Sequence, residues 1–379
     1  MNYRKIPNGK ESVSILGLGC MRFPLMEDGK IDEKQVEEMM VYGIEKGINY
    51  IDTAWGYHGG ESEPLVGKIL EKTGLRDRVN VVTKLPSYLI KKKEDLDYYF
   101  NEQLKRLRVD KIDYYLVHTL TEVFWKNVTE ADIFSFLDRI KAEGKVGHVG
   151  FSFHDELPLF KTIVDAYPWD FCMIQYNYLD TEYQAGRAGL EYATEKGLGV
   201  FVMEPLRGGG LVNNISPDIM AEWEGSSKGY KPVEWGLRWV WNHPNVTLLL
   251  SGMSSFGQIK ENIEIAERVK DKILDDDDLD RIERVKKLYK NKIKVNCTGC
   301  NYCMPCPFGV DIPGAFEFYN NASMFNDVEK FSKSYEMFVK EGARADQCKA
   351  CGKCEPQCPQ GIKIISELKN VAETLQAKI

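Results

Sequence analysis

Short apolar runs alternate with longer amphipathic segments over roughly the first 270 residues of this chain. The apolar runs are nearly continuous and rich in β-branched and aromatic residues, which is typical of strands buried on both faces. The segments between them have helical periodicity, and several end at glycine or before proline. The predicted strands are 14–18, 49–54, 79–85, 112–118, 148–153, 171–176, 200–203 and 246–251. The predicted helices are 33–46, 61–72, 93–107, 131–143, 156–166, 184–196, 232–242 and 256–269.

This alternation of eight strands with eight helices predicts an α/β fold, a (β/α)8 TIM barrel. A doubly wound open sheet is the competing fold. No G-x-G-x-x-G turn follows the first predicted strand, and this favours the barrel. One more helix, at about 277–290, is predicted to lead out of the barrel.

The composition changes after residue 290, where eight of the ten cysteines fall in two tight runs. Two helices, at 314–323 and 326–341, are predicted between the runs. We therefore expect two domains, a barrel over 1–290 and a small, mainly helical domain over 291–379. The cysteine runs read Cys297-x2-Cys300-x2-Cys303-x2-Cys306-Pro307 and Cys348-x2-Cys351-x2-Cys354-x3-Cys358-Pro359.

The cysteine spacing is that of iron–sulfur ligands. Three cysteines at every third position can surround one cubane cluster, and the fourth, followed by proline, ligates the other cluster in bacterial two-cluster ferredoxins. The second run matches this pattern, whereas the first is one residue short before its last cysteine. Structural zinc and disulfides are the alternatives. The predicted ligands of two [4Fe–4S] clusters are Cys297, Cys300, Cys303 and Cys358 for cluster 1, and Cys348, Cys351, Cys354 and Cys306 for cluster 2.

Composition and charge narrow the class of protein. The formal net charge is −7 with both signs interspersed, which argues against general nucleic-acid binding. No apolar run approaches the roughly 20 residues that span a bilayer. The first ten residues have no apolar segment typical of a signal peptide, so we expect no membrane association and a cytoplasmic protein. Thiolate-bound clusters also suit a reducing compartment.

Four ionisable residues stand where barrel enzymes carry their chemistry, at or just beyond the C-terminal ends of strands. Asp52 ends the second predicted strand, Tyr57 follows in its loop, Lys84 ends the third strand, and His118 ends the fourth. Tyrosine is a weak acid with an ordinary pKa of about 10. A nearby Lys84 is expected to lower the pKa of Tyr57, and Asp52 to orient the lysine. His118 would donate to a carbonyl oxygen or relay protons.

These residues give the chain a resemblance to the aldo/keto reductase family over about 10–270. Gly17-Leu18-Gly19 and the loop Asp52-Thr53-Ala54-x2-Tyr57-x3-Glu61-x5-Gly67 are similar to family motifs, and Lys84 and His118 match the remaining catalytic positions. The resemblance implies a small-molecule carbonyl substrate and NADPH or NADH as hydride donor, because no side chain supplies hydride.

The resemblance also implies residues that contact the dinucleotide. Ser152, Gln175 and Asn177 match positions at the nicotinamide carboxamide, and Arg207 with nearby glycines could contact pyrophosphate. The positions that usually carry basic residues for the adenosine 2′-phosphate are Gly252 and Gln258 here, which makes NADH plausible. The full predicted set is Ser152, Gln175, Asn177, Pro205, Leu206, Arg207, Gly208, Ser251, Gly252, Ser254, Gln258, Glu261 and Asn262.

Three functions follow as hypotheses. In the first, the barrel is an NAD(P)H-dependent carbonyl reductase with Tyr57 as proton donor, and the clusters serve structure, docking or sensing. In the second, the clusters connect a ferredoxin or other redox-protein partner to a flavin or another redox centre in the barrel. In the third, the chain is a non-enzymatic electron-transfer module. Hydride carries two electrons and a [4Fe–4S] cluster passes one at a time, so the second function needs an intermediate carrier.

Overall fold

Eight parallel strands close into a barrel, in the order in which they follow one another along the chain. The structure is a computed structural model that describes residues 1–7, 11–269 and 273–376. The closed barrel and the positions of its strands along the chain confirm the predicted (β/α)8 fold. A hairpin of β1 (Tyr3–Lys5) and β2 (Ser12–Ser14) precedes the barrel. The barrel strands are β3 (Leu16–Gly19), β4 (Tyr50–Asp52), β5 (Asn80–Leu85), β6 (Ile112–Leu120), β7 (Val146–Phe153), β8 (Phe171–Gln175), β9 (Gly199–Met203) and β10 (Val246–Ser251).

Helices follow the barrel strands as the sequence predicts, with two additional ones: a helix after β9 and another directly after β6. That helix, α4, begins at Thr121, whose side chain accepts a hydrogen bond from the backbone amide of Phe124. The helices of this part of the chain are α1 (Glu33–Glu45), α2 (Ser62–Thr73), α3 (Lys93–Leu107), α4 (Glu122–Glu130), α5 (Ile133–Ala142), α6 (Leu157–Ala166), α7 (Gly186–Glu195), α9 (Pro232–Trp241) and α10 (Phe256–Arg268). The helix α8 (Pro217–Glu224) lies in the connection between β9 and α9.

Large apolar side chains fill the barrel interior near the N-terminal ends of the strands. The rings of Tyr50, Tyr114, Phe171 and Phe201 pack together with centroid separations between 4.7 and 6.1 Å. Ile6 and Val13 of the N-terminal segment belong to the same buried cluster. Because apolar side chains fill the N-terminal end of the barrel, polar catalytic groups have room only at the C-terminal ends of the strands.

The chain forms two compact units. The first comprises Met1–Gly208 and Glu234–Asp275, and the second comprises Gly209–Val233 and the chain from Asp276 onward. In the second unit α8 packs on α11 (Asp276–Lys290), and Arg281 donates to a carboxylate oxygen of Glu222 at 3.1 Å. The domain boundary at residue 290 stays a prediction.

Three helices form the core of the cysteine-bearing part, which confirms its mainly helical character. They are α12 (Ile312–Met324), α13 (Val328–Phe338) and α14 (Ile364–Leu375). Asp311 and Asp327 cap the first two, each accepting from a backbone amide at 3.1 Å. The sequence analysis missed α14, which buries an apolar stripe against α12 and α13 after the last cysteine.

Within the described residues, none of the helices is both long and apolar enough to cross a lipid bilayer.

Candidate functional site

The four predicted catalytic residues lie together at the C-terminal end of the barrel. Strands β4, β5 and β6 are neighbours, so Asp52, Lys84 and His118 extend from adjacent strand ends. Lys84 Nζ donates to Asp52 Oδ1 at 2.5 Å, to the Thr53 carbonyl oxygen at 2.8 Å and to Tyr57 Oη at 3.1 Å. All three ammonium protons are thus donated in these contacts. The Tyr57 hydroxyl accepts one of them, so its own proton can be donated to another group.

The charges of this group are set by burial and by one another. Asp52 and Lys84 are almost fully buried, while Tyr57 and His118 are half-buried. Burial disfavours the Lys84 ammonium, but Asp52 and Tyr57 outweigh this, and the pKa of Lys84 is raised. Burial raises the pKa of Tyr57 by more than Lys84 lowers it, so the net direction is upward. Lys84 acts on Tyr57 as expected, but the phenol stays protonated at neutral pH because desolvation is the larger effect.

His118 is a neutral imidazole facing the phenol. Burial, reinforced by Lys84 and His154, holds the pKa of His118 well below its ordinary value. The rings of His118 and Tyr57 meet edge to face with centroids 6.0 Å apart. Nδ1 of His118 is buried without a hydrogen-bond partner. A buried, unpartnered imidazole nitrogen in a polar site is a group able to bond a ligand atom.

A buried carboxylate behind Lys84 was missed by the sequence analysis. The motif was read with Glu61, which is exposed, whereas Glu63 is fully buried at the start of α2. Glu63 accepts from Thr83 Oγ1 at 2.6 Å and from Gln103 Nε2 at 2.7 Å, and Gln103 also donates to the Lys84 carbonyl oxygen at 2.9 Å. This network ties the strand that carries Lys84 to two helices.

The network also reaches the loop of Tyr57. Arg106 donates to Glu63 at 3.3 Å, and its guanidinium lies 3.3 Å from the ring centroid of Trp55, two residues before Tyr57. The same motif contains Gly67, where an added Cβ would approach the Leu107 carbonyl oxygen to 2.5 Å. The glycine is therefore required for the close approach of α2 to the end of α3.

The predicted carboxamide-contacting residues lie at the ends of β7 and β8. Ser152 is buried, and its Oγ accepts from the Thr119 amide at 2.8 Å, which leaves its own proton free to donate. Gln175 and Asn177 each donate through their amide nitrogens to Asp180 Oδ2 at 3.1 Å.

The predicted pyrophosphate segment after β9 is held in a strained turn. Pro205 is buried, and Leu206 packs on Gly236 of α9. Arg207 pairs with Asp180 at 2.7 Å. Arg207 and Gly208 both have positive φ, of 49° and 59°.

In the segment after β10, the two positions that usually carry cations are occupied by Gly252 and Gln258. Ser251 Oγ accepts from Asn262 Nδ2 at 3.1 Å. Gln258 Oε1 accepts from the Ser254 amide at 2.8 Å, so this side chain folds back on its own loop. Gly252 is exposed, and Glu261 is half-buried on α10. Whether these residues bind a dinucleotide stays a prediction.

One cation near these loops comes from elsewhere in the chain. Arg22 follows β3, and its side chain lies against Gly252, where a Cβ would meet Cγ and Cδ of Arg22 at 3.2 Å. Its guanidinium end lies at Gly208, where a Cβ would meet Nη2 at 2.9 Å. The arginine thus spans two predicted dinucleotide-binding loops. The one sequence signal for it was Gly252, at a position that usually carries a basic residue.

The first predicted set of cluster ligands surrounds one cavity. Cys297, Cys300, Cys303 and Cys358 line this cavity together with apolar residues that include Ile312 and Phe316. Burial and then neighbouring thiols, Cys300 and Cys358 among them, raise the pKa of Cys297. Four thiols around an apolar cavity are a donor set that fits a cubane cluster.

The second set is only partly defined by the structure. Burial raises the pKa of Cys354, and the neighbouring Cys348 and Cys351 contribute to the same direction. Cys306 packs against the hydrophobic core of this unit. Its role as the fourth ligand stays a prediction. Among the described residues, no three His, Cys, Asp or Glu side chains are spaced for a single metal ion.

Comparisons with known proteins agree with this architecture. A model of the aldo/keto reductase family matches residues 15–287, and a model of a 4Fe-4S dicluster domain matches residues 296–363. The NADH-specific methylglyoxal reductase of Escherichia coli K12 is 24% identical over 69% of this chain and 92% of its own length. The L-galactose dehydrogenase of Arabidopsis thaliana is 25% identical over 76% of this chain and 95% of its own length.

Solved structures show the same barrel. The holo form of an aldo-keto reductase from Bacillus halodurans superposes with a TM-score of 0.64 at 25% identity, covering 75% of this chain and 96% of that one. An aldo/keto reductase from Klebsiella pneumoniae in complex with NADP and acetate has the same fold, with a TM-score of 0.61 at 22% identity, over 75% of this chain and 95% of its own. The chain is an oxidoreductase that belongs to the aldo/keto reductase family and carries a C-terminal 4Fe-4S dicluster domain.

Proposed function

We propose that the barrel reduces a small carbonyl compound with NADH, and that Tyr57 donates the proton. The observation that carries this proposal is the contact of Lys84 Nζ with Tyr57 Oη at 3.1 Å and with Asp52 Oδ1 at 2.5 Å. It places a neutral phenol beside a fixed ammonium at the mouth of the barrel. The family uses a nicotinamide dinucleotide, which supplies hydride when bound.

The chain's own residues would handle the substrate oxygen and its proton. Tyr57 donates a proton to the carbonyl oxygen as charge develops there, and Lys84 stabilises the tyrosinate that remains. Asp52 keeps Lys84 protonated and oriented. His118 is neutral and half-buried, so it can donate a second hydrogen bond to the same oxygen without adding charge.

The choice of NADH rests on the loop after β10. Gly252 and Gln258 themselves carry no charge to pair with a 2′-phosphate, and Gln258 is held by Ser254. Only the aliphatic part of Arg22 lies against Gly252. The guanidinium of Arg22 lies at Gly208, beside the segment proposed for pyrophosphate. An NADH-specific relative in Escherichia coli is in agreement with this choice.

The test is anaerobic turnover of the purified full chain with NADH or NADPH and a series of small aldehydes and ketones. Oxidation of NADH in step with alcohol formation is expected, with a higher kcat/KM for NADH than for NADPH. Absence of turnover with every carbonyl, in protein that binds NADH, would refute carbonyl reduction.

Arg22→Ala is expected to weaken NADH binding by about ten- to a hundredfold, because a charge-assisted hydrogen bond contributes roughly 1.5–3 kcal/mol. Quenching of protein fluorescence on titration with NADH measures the Kd. Arg78→Ala is the matched control, since Arg78 is an exposed arginine that precedes β5 at the opposite end of the barrel. Equal Kd values for the two variants would exclude Arg22 from the dinucleotide site.

The rate of carbonyl reduction is expected to stay flat between about pH 6.5 and about pH 10. The reaction needs protonated Tyr57, whose pKa is raised above its ordinary value, so the active fraction falls only as the pH rises beyond that range. His118 has a lowered pKa and gains a proton only below about 6.5. A profile of kcat/KM against pH measures this, and an inflection near 7 that vanishes in His118→Gln would contradict it.

We further propose that the C-terminal domain holds two [4Fe–4S] clusters that exchange single electrons with a ferredoxin-type partner in a reducing cytoplasm. The cavity lined by four cysteines supports a thiolate-bound cluster, and the cysteine spacing of the runs is that of iron–sulfur ligands. Cys300 and Cys351 are exposed, so a partner can approach both ligand sets closely. Anaerobic absorption and EPR spectra with and without NADH test whether the dinucleotide reduces the clusters. A bound flavin, the alternative redox centre, would be visible in the same sample.

A further inference from the structure

Asp180 joins three residues that are predicted to contact the dinucleotide. Its Oδ2 accepts from Gln175 Nε2 and from Asn177 Nδ2, both at 3.1 Å, and its Oδ1 pairs with Arg207 at 2.7 Å. The aspartate follows β8, whereas Arg207 lies in the loop after β9. Both charged side chains are largely buried, with exposed fractions of 11% for Asp180 and 19% for Arg207.

The carboxylate determines which way the Gln175 amide faces. A carboxylate accepts hydrogen bonds and cannot donate them, so the nitrogen of the amide must be the atom that faces Asp180. Oε1 is then the atom left for a ligand, and it would accept from the NH2 of a nicotinamide carboxamide. Asn177 is oriented independently, because its Oδ1 accepts from the backbone amides of Leu179 and Asp180 at 3.0 Å.

The same carboxylate holds the loop after β9 through Arg207. Glu204 and Arg207 both have positive φ, of 54° and 49°, a backbone conformation that residues other than glycine rarely adopt. The Glu204 carbonyl oxygen accepts from the Arg207 amide at 3.0 Å and from Asn177 Nδ2 at 3.3 Å. A strained turn persists only where surrounding contacts hold it, and the ion pair with Asp180 is such a contact.

We propose that Asp180 is a positioning residue for dinucleotide binding. It orients the Gln175 amide toward the nicotinamide and, through Arg207, latches residues 204–208 in the conformation that receives the dinucleotide. The latch is a property of the chain itself, whereas the effect on binding rests on the proposed function.

Hydrogen exchange tests the latch in the absence of any ligand. Amide exchange in residues 204–208 is expected to be at least tenfold faster in Asp180→Ala and in Arg207→Gln than in the wild type. The double variant is expected to exchange no faster than either single variant, because both substitutions break the same ion pair. Asp97→Ala is the matched control, since Asp97 pairs with Arg139 at 2.5 Å on the outer helices. Exchange that is unchanged in both single variants would overturn the latch.

Dinucleotide titrations test the positioning role. Asp180→Ala is expected to raise the Kd for NADH at least tenfold, and to raise the KM for NADH more than the KM for the carbonyl. Asp180→Asn, which keeps one acceptor oxygen, is expected to fall between the wild type and Asp180→Ala. A structural defect would change both KM values together, and that result would overturn the role. If Asp180→Ala does not fold, Arg207→Gln still breaks the latch and leaves both amide contacts intact. A wild-type chain that binds no NADH would refute the proposed function, and the exchange data would still decide the latch.

Discussion

Tyr57→Phe is expected to lower kcat for carbonyl reduction by about 10²–10⁴-fold, which is the range that general acid catalysis contributes. The substitution removes one oxygen atom and keeps the ring that packs against His118. Lys84 keeps its contacts with Asp52 and the Thr53 carbonyl oxygen, so the ammonium stays paired and oriented. Binding of NADH should therefore be retained while the proton donor is lost.

The control for this experiment is a second tyrosine at the same mouth. The ring of Tyr88 lies 6.2 Å from that of His118, but its hydroxyl has no contact with Lys84 among the described residues. Tyr88→Phe should keep kcat within a few-fold of the wild type. Single-turnover rates with bound NADH, together with NADH affinity by titration, separate the chemical step from binding. Full turnover by Tyr57→Phe would show that another group supplies the proton.

Cys358→Ser is expected to remove one cluster and leave the other, reducing iron from about eight to about four atoms per chain. Cys358 lines the same cavity as Cys297, Cys300 and Cys303, although it belongs to the second cysteine run. Loss of one thiolate leaves three protein ligands around the cluster. Iron analysis and the EPR spectrum of the reduced protein measure the outcome, with Cys172→Ala, a buried thiol in β8, as the control.

Pairs of substitutions distinguish crossed ligation from local ligation. Cys297→Ser combined with Cys358→Ser should cost no more iron than either alone, because both residues serve the same cluster. Cys348→Ser combined with Cys358→Ser should remove nearly all iron, because the two residues serve different clusters. The opposite pattern would show that each run ligates its own cluster.

The strand ends were predictable because they depend on local pattern. In a parallel barrel every strand is buried on both faces, so Asp52, Lys84 and His118 stand out as polar residues closing apolar runs. Their convergence follows from the neighbouring order of β4, β5 and β6, which a right-handed βαβ repeat requires. The net pKa of Tyr57 was not predictable, because it depends on how far burial outweighs a single ammonium.

Other features could not be read along the chain. Glu61 and Glu63 are two residues apart, and only the packing of α2 shows which of them is buried. The helix α14 has an apolar stripe after the last cysteine, and only its packing shows that it belongs to the core of this unit. Arg22 and Asp180 belong to loops after different strands. Arg22 reaches Gly208 and Gly252, and Asp180 forms its ion pair with Arg207 in the loop after β9, so these contacts join distant parts of the chain.

The sequence by itself determined the barrel, the group of four ionisable residues and the two cysteine runs, because each is encoded in local periodicity or spacing. Only the tertiary structure decided which loops meet at the mouth of the barrel: Arg22 against Gly208 and Gly252, and Asp180 with Arg207. The physical reason is that loop contacts join residues distant in the chain, whose approach is set by strand order and by packing rather than by any repeating pattern.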